Sequence, residues 1–322
     1  MIQNSPPEPG IAPLIIAHRG ASGYLPEHTL AAKALAYGQG ADFLEQDIVA
    51  TRDDELVVLH DIHLDTVSDV AEKYPDRARE DGRWYARDFD LAEIRTLRAY
   101  ERMSPDRLGA VFPERFPIRT GYFSIPTLAD EISLIQGLNK STGRQAGIYP
   151  EIKKPAWHHR EGVDVATLLL KTLEQFGYRE RRDAVYLQCF DPKETRRLRE
   201  SLGTNLRIVQ LIADNRWAEA EADFDYLLSR DGLSEIAGYA DAIGLWLPQL
   251  YREGPSGGPE STGIVEAAHD LGLSVHPYTF RVDQLPPGFD DYASCIRWFA
   301  DALAIDGLFT DFTDQTRSAL GR

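Results

Sequence analysis

Cysteine is scarce, with Cys189 and Cys295 the two in 322 residues. They lie far apart with no CxxC or Cys/His spacing, which excludes a zinc ribbon or a disulfide scaffold and leaves two ordinary buried thiols as the expectation. Positive charge is also short: 35 Lys and Arg face 51 Asp and Glu, a net charge of −16. A basic footprint for nucleic acid or an anionic membrane is therefore missing. No run approaches the roughly 20 apolar residues of a membrane span. The opening MIQNSPPEPGIAP has neither a basic start nor an apolar stretch, so residues 1–13 read as a polar lead and not as a signal peptide. Cytoplasmic localisation is the expectation, with the periplasm the alternative if an export signal precedes this chain. No Walker loop or GxGxxG supports nucleotide binding. What is present is a globular composition, 43% hydrophobic and 27% charged.

Short apolar segments recur along the chain, each followed by polar residues and a helix-like stretch. They are LIIAHRG (14–20), FLEQDIV (43–49), GIYPEIK (147–153), AVYLQCF (184–190), LRIVQLI (206–212), AIGLWL (242–247), LSVHPYTF (273–280) and GLFTDF (307–312). Helical patterns from His28 to Tyr37, Val163 to Phe176 and Thr262 to Leu271 are closed by glycines. Eight strands alternating with helices is the count of a (β/α)8 TIM barrel, whereas a doubly wound sheet usually stops at five or six parallel strands. After the second strand, TRDDE and LVVLHD predict a turn and an extra strand. A small inserted cap over about 62–125 follows, the barrel domain as a whole running from 14 to 322. The cap carries a capping-box pattern at Asp90 and Glu93, and its aromatics Trp84, Tyr85, Phe89, Phe112, Phe116, Tyr122 and Phe123 are expected to form its own small core.

Residues two apart on a barrel strand face the same side, and chemistry gathers at the carboxyl ends. Glu45 and Asp47 share a face near the end of the second strand, and Glu151 and Lys153 repeat the arrangement on the third. Three acids converging on a barrel mouth need a cation. All-oxygen ligation suits one divalent ion, Ca2+ or Mg2+ with Mn2+ also possible, held by Glu45, Asp47 and Glu151. The first strand ends in His18-Arg19-Gly20 and the extra strand in His60-Asp61. Two histidines beside Arg19, Lys153 and a carboxylate metal site supply the parts of phosphodiester cleavage: a base, an acid, and cations for the phosphoryl charge.

The runs IIAHRGASGYLPEHT (15–29), FLEQDIVATRDDELVVLHDIHLD (43–65) and IYPEIK (148–153) resemble the glycerophosphodiester phosphodiesterases, and VYLQCF, VHPYTFR and GLFTDF are similar to the larger bacterial type usually found in the periplasm. The resemblance spans essentially the whole chain, insertion included. It implies a TIM barrel with an inserted domain, a divalent metal, and hydrolysis of small glycerophosphodiesters such as glycerophosphocholine or glycerophosphoethanolamine to sn-glycerol 3-phosphate and an alcohol through a cyclic phosphate. Position by position it implies acid/base roles for His18 and His60, phosphate contacts for Arg19 and Lys153, and metal ligation by Glu45, Asp47 and Glu151. His28 stands where many members have Asn and is read as a loop or helix-start residue outside the reaction. AIGLWLPQLY (242–251) departs from a more polar family stretch, so Trp246 is a candidate to stack on the substrate's glycerol or alcohol, with core packing the competing role. The rival activities are a lysophospholipase D-like or lyase reaction on lysolipids and a non-catalytic barrel that binds phosphate esters.

Overall fold

The computed structural model describes residues 12–255 and 257–322. The predicted polar lead lies, through residue 11, outside the described residues. All eight apolar segments form parallel strands: β1 (Leu14–Ala17), β2 (Phe43–Ala50), β4 (Gly147–Ile152), β5 (Tyr186–Cys189), β6 (Arg207–Ile212), β7 (Ala242–Leu245), β10 (Ser274–Val275) and β11 (Gly307–Thr310). Their order is β10-β7-β6-β5-β4-β2-β1-β11. The ring is closed by backbone bonds between the segment after β10 and β11, with Phe309 N–H donating to Pro277 C=O at 3.0 Å and Phe280 N–H to Phe309 C=O at 2.8 Å. The protein is thus a (β/α)8 barrel. Strands buried on both faces must be apolar nearly throughout, which is why they read as short continuous hydrophobic runs.

Inside the ring, Ile16, Phe43, Tyr149, Tyr186, Val209, Ala242 and Phe309 pack together. Tyr149 and Tyr186 stack at 5.0 Å, and the Tyr149 hydroxyl is bonded to His276 Nδ1 at 2.7 Å. This plug fills the lower barrel, so inward side chains one step further along each strand are the ones that reach the carboxyl-end mouth. The larger core lies between the strands and the surrounding helices.

Local signals set the helix ends. The helix Leu30–Gln39 starts two residues later than the sequence pattern suggests, because the Thr29 hydroxyl accepts the Ala32 N–H at 3.2 Å as the cap. His28, at φ +61°, is not helical. The second predicted helix is Val165–Gln175, capped by Asp164, and the third is Ile264–Asp270. The Asp90/Glu93 capping box forms as expected at Leu91–Ile94, with Glu93 Oε2 accepting the Asp90 N–H at 2.9 Å.

The extra strand β3 (Leu56–Val58) pairs antiparallel with the end of β2. Beyond it, Leu64, Val70, Trp84, Phe89, Ile94, Leu97 and Ile125 form a second core against Val49 and Val57. The cap aromatics do not all join it. Trp84 and Phe89 are buried there and Phe123 packs alongside, but Tyr122 is 92% exposed. Tyr85 instead stacks on Trp157 at 5.5 Å, and Phe112 lies under the Arg115 guanidinium at 3.7 Å. The sequence reading also missed a short exposed hairpin, β8 (Tyr251–Glu253) with β9 (Pro259–Ser261), whose polar REGPSGGPE composition reads as loop. Cys189 and Cys295 are both buried free thiols. Among the described residues no helix is long and apolar enough to cross a membrane.

Candidate active site

A pocket of about 520 Å³ opens at the carboxyl ends of the strands, and His18, Arg19, Glu45, Asp47, His60, Glu151, Lys153 and Trp246 all line it. The turn after β1 makes this possible. Gly20 sits at φ +85°, and a Cβ there would lie 2.8 Å from the Ala32 carbonyl carbon, so the HRG turn excludes a side chain at this point. The turn carries Arg19 into the left-handed region, φ +59°, and points its backbone N–H at Glu45 Oε2, 2.6 Å away.

Each histidine is oriented by a carboxylate. His18 Nδ1 lies 2.6 Å from Asp311 Oδ1, and His60 Nδ1 lies 2.7 Å from Asp61 Oδ1. An ionised carboxylate accepts only, so Nδ1 of each ring carries the hydrogen and Nε2 is left with its lone pair. Burial, reinforced by Arg19, lowers the His18 pKa to about 4. Burial and then Arg19 and Lys153 also lower that of His60. Both rings are neutral at rest. Asp311 is buried, which opposes ionisation, but Arg281, His18 and Arg115 outweigh burial and hold it well below the usual carboxylate range.

The acidic cluster is built by register. Asp47 of β2 pairs with Glu151 of β4, and Glu45 lies on the same face one step below. Burial and then the neighbouring Asp47 push Glu45 well above the ordinary carboxylate value, and burial raises Glu151 to about 8. Lys153 Nζ is 2.6 Å from Glu151 Oε1 and 3.6 Å from Asp47 Oδ1. Arg19 Nε also lies 3.5 Å from Asp47 Oδ2, yet two cations facing three carboxylates still leave the cluster short of positive charge, and Asp47 Oδ1 is buried without a hydrogen-bond partner. Potential ligand atoms of Glu45, Asp47 and His28 lie within 4.8 Å of one another, whereas Glu151, the third ligand expected from the sequence, falls outside that group. This is a cluster that fits a metal ion.

His28, placed outside the reaction by the sequence reading, reaches the cluster without lining the pocket. Its Nε2 is 2.7 Å from Asp47 Oδ2, and its Nδ1 is 3.3 Å from Lys33 Nζ. The ammonium can only donate, so Nδ1 accepts and Nε2 donates to Asp47. His28 thereby fixes the orientation of Asp47. Lys33, fully buried, also donates to the Glu45 carbonyl and pairs with Glu131 at 3.2 Å.

Behind the histidines, against the pocket wall, lie further groups that the sequence reading did not single out. Asp311 was legible: it ends the last strand in GLFTDF, where the carboxyl-end rule applies. Its Oδ2 accepts from Arg281 Nε at 2.7 Å and Arg115 Nη2 at 2.8 Å. Arg102 bonds Glu27 through Nη2 at 2.6 Å and Asp61 through Nη1 at 2.6 Å, while Glu27 accepts from Arg19 at 3.0 Å. One insertion arginine thus ties the loops of both histidines together. No local pattern marks Arg102 or Arg115, because their partners are distant in sequence.

A family model described as the glycerophosphoryl diester phosphodiesterase family matches residues 18–315. The chain is 43% identical over 321 residues to a glycerophosphodiester phosphodiesterase of Haemophilus influenzae, covering 94% of this chain and 88% of that protein. It is 36% identical over 329 residues to one of Treponema pallidum, covering 96% and 92%. Among solved structures, the fold is similar to a putative glycerophosphoryl diester phosphodiesterase of Silicibacter pomeroyi, with a TM-score of 0.71 at 22% identity, covering 98% and 95% of the two chains. It is also similar to an Oleispira antarctica phosphodiesterase solved in complex with the product sn-glycerol-3-phosphate, with a TM-score of 0.65 at 18% identity, covering 97% and 98%.

Proposed function

The chain belongs to the glycerophosphoryl diester phosphodiesterase family and is a glycerophosphodiester phosphodiesterase, and from that premise we propose that it hydrolyses small glycerophosphodiesters, such as glycerophosphocholine and glycerophosphoethanolamine, to sn-glycerol 3-phosphate and an alcohol. The observation that carries this substrate class is the convergence of two carboxylate-oriented histidines, Arg19, Lys153 and three carboxylates on one small pocket.

In the proposed mechanism Arg19 and Lys153 take the anionic phosphodiester. Glu45, Asp47 and Glu151 would hold the divalent ion, Ca2+ or Mg2+, whose chemistry is Lewis-acid stabilisation of charge on the phosphoryl oxygens. One histidine, through Nε2, accepts the proton of the glycerol hydroxyl next to the phosphate as that oxygen attacks phosphorus. The other, which takes up a proton on Nε2 from solvent as the anionic phosphodiester binds beside it, gives that proton to the departing alcohol oxygen, leaving a cyclic glycerol phosphate. Water then opens the cyclic ester with the two histidines in exchanged roles. Asp311 and Asp61 hold both rings in the tautomer this needs and stabilise each imidazolium in turn. The aromatic plug below the site keeps the reacting groups at the mouth.

The test is release of glycerol 3-phosphate from glycerophosphocholine before and after EDTA, then with Ca2+, Mg2+ or Mn2+ restored. Metal-restored release supports the reading. Release that ignores chelation overturns the metal assignment, and binding without turnover under every metal favours a binding protein.

A further inference from the structure

Arg102 enters from the insertion and lines the small space behind the histidines, not the substrate pocket itself. Its backbone is held on both sides. Tyr100 N–H donates to the Val67 carbonyl at 2.7 Å and Met103 N–H to the Thr66 carbonyl at 2.8 Å, while the Arg102 carbonyl accepts from Val111 N–H at 2.9 Å. The guanidinium is thereby aimed at two carboxylates from separate loops. Its Nε and Nη2 hold both oxygens of Glu27, at 2.9 and 2.6 Å, and its Nη1 donates to Asp61 Oδ2 at 2.6 Å. Burial opposes ionisation of both acids, yet Arg102, ahead of Arg19 at Glu27 and of His60 at Asp61, holds each well below the usual carboxylate range. An arginine can serve three oxygens in this way because its donors form a rigid planar fork, whereas a lysine ammonium acts as a point charge.

Each of these carboxylates in turn controls a group that works on the substrate. Asp61 Oδ1 sets the His60 ring through Nδ1, and among the described residues its Oδ2 is held by Arg102 alone. Asp61 keeps 30% of its side chain exposed, so without Arg102 it can turn toward water and release the ring. Glu27 Oε2 is shared between Arg102 Nε at 2.9 Å and Arg19 Nη1 at 3.0 Å. Removing Arg102 would leave two carboxylates beside the single guanidinium of Arg19. They would draw that guanidinium off the phosphate and repel an incoming anion. Resting on the diesterase reading, we infer that Arg102 is a positioning residue that couples docking of the insertion to the reaction. By way of Asp61 it fixes the proton-transferring ring of His60, and by way of Glu27 it keeps Arg19 available to the phosphodiester.

The experiment measures kcat and KM separately for glycerophosphocholine on the metal-loaded full chain. Arg102→Met is expected to lower kcat/KM by about 10²-fold, the size of the effect when a reacting group is displaced by a distant change, with kcat reduced and KM raised. Arg102→Lys, which keeps the charge without the fork, should fall between that variant and the wild type. Two backgrounds separate the two routes. In Asp61→Asn the His60 route is already broken, so adding Arg102→Met should cost less than about threefold further in kcat while still raising KM. In Glu27→Gln the pull on Arg19 is already relieved, so the same addition should leave KM within about threefold while still lowering kcat. A merely structural role would instead give the same kcat and KM losses in both backgrounds. Cooperative unfolding in urea checks that Arg102→Met stays folded; if it does not, Arg102→Lys carries the same test in the two backgrounds. Equal losses in both backgrounds, wild-type kcat and KM in Arg102→Met, or full activity in Arg102→Lys overturns the positioning role and leaves the diesterase reading intact. A wild type that hydrolyses no glycerophosphodiester defeats that underlying reading instead.

Discussion

Replacing Asp311 with Asn tests the histidine chemistry through a single hydrogen. The carboxylate now serves three donors at once: His18 Nδ1 at 2.6 Å on Oδ1, and Arg281 Nε at 2.7 Å and Arg115 Nη2 at 2.8 Å on Oδ2. In the amide of Asp311→Asn, the two guanidinium groups can only donate, so they draw the amide oxygen to their side. The amide NH2 then faces His18 Nδ1, which must accept. That transfers the ring hydrogen to Nε2, removing the lone pair that takes a proton from the attacking oxygen. Where a buried carboxylate fixes a catalytic imidazole in this way, the tautomer error lowers turnover by about 10⁴-fold, or about 5 kcal/mol in barrier. The expected signature is a collapse of kcat on glycerophosphocholine with a cooperative unfolding transition retained. Adding Asp311→Asn to His18→Ala should cost little further, because the two changes disable one unit. A kcat within tenfold of wild type in the single variant would refute the orienting role, and full additivity in the double variant would place Asp311 elsewhere in the reaction.

His18→Ala and His60→Ala should each lower turnover by about 10² to 10⁴-fold without unfolding the barrel; near-normal turnover in either removes that residue from proton transfer. His28→Ala frees Asp47 to rotate and should weaken divalent-ion affinity measured by calorimetry, with His28→Gln restoring part of it through its amide donor; unchanged affinity in His28→Ala would show that Asp47 is held by other contacts. The protein should also be acid-labile. Burial lowers the His276 pKa to about 4, below its unfolded value of about 6.5, so an unfolded chain binds a proton that the native ring refuses. Stability is complete above pH 6.5 and falls as pH drops toward 4, by roughly 2 kcal/mol at pH 5 from this residue alone. Urea midpoints between pH 7 and 4.5 check the slope, which His276→Asn should flatten; an unchanged slope would assign the acid sensitivity to other groups.

The sequence alone determined the elements whose causes are local. Eight runs of apolar residues, each too short for a helix, sufficed for the barrel strands, and the alternation of side chains placed Glu45 with Asp47 and Glu151 with Lys153. The carboxyl-end rule brought His18, Arg19 and His60 to the same mouth, and even the Asp90/Glu93 cap was readable because its two hydrogen bonds span three residues. Tertiary structure decided what depends on partners distant in the chain. Asp311 meets His18 because β11 closes onto β1, and Arg102 and Arg115 reach the site from an insertion whose own pattern points to nothing but packing. His28 looked like a helix start until folding set its ring between Lys33 and Asp47. Trp246 gained its place opposite the acidic cluster only through ring closure, since strand order around a barrel is a property of the closed sheet and not of any one strand.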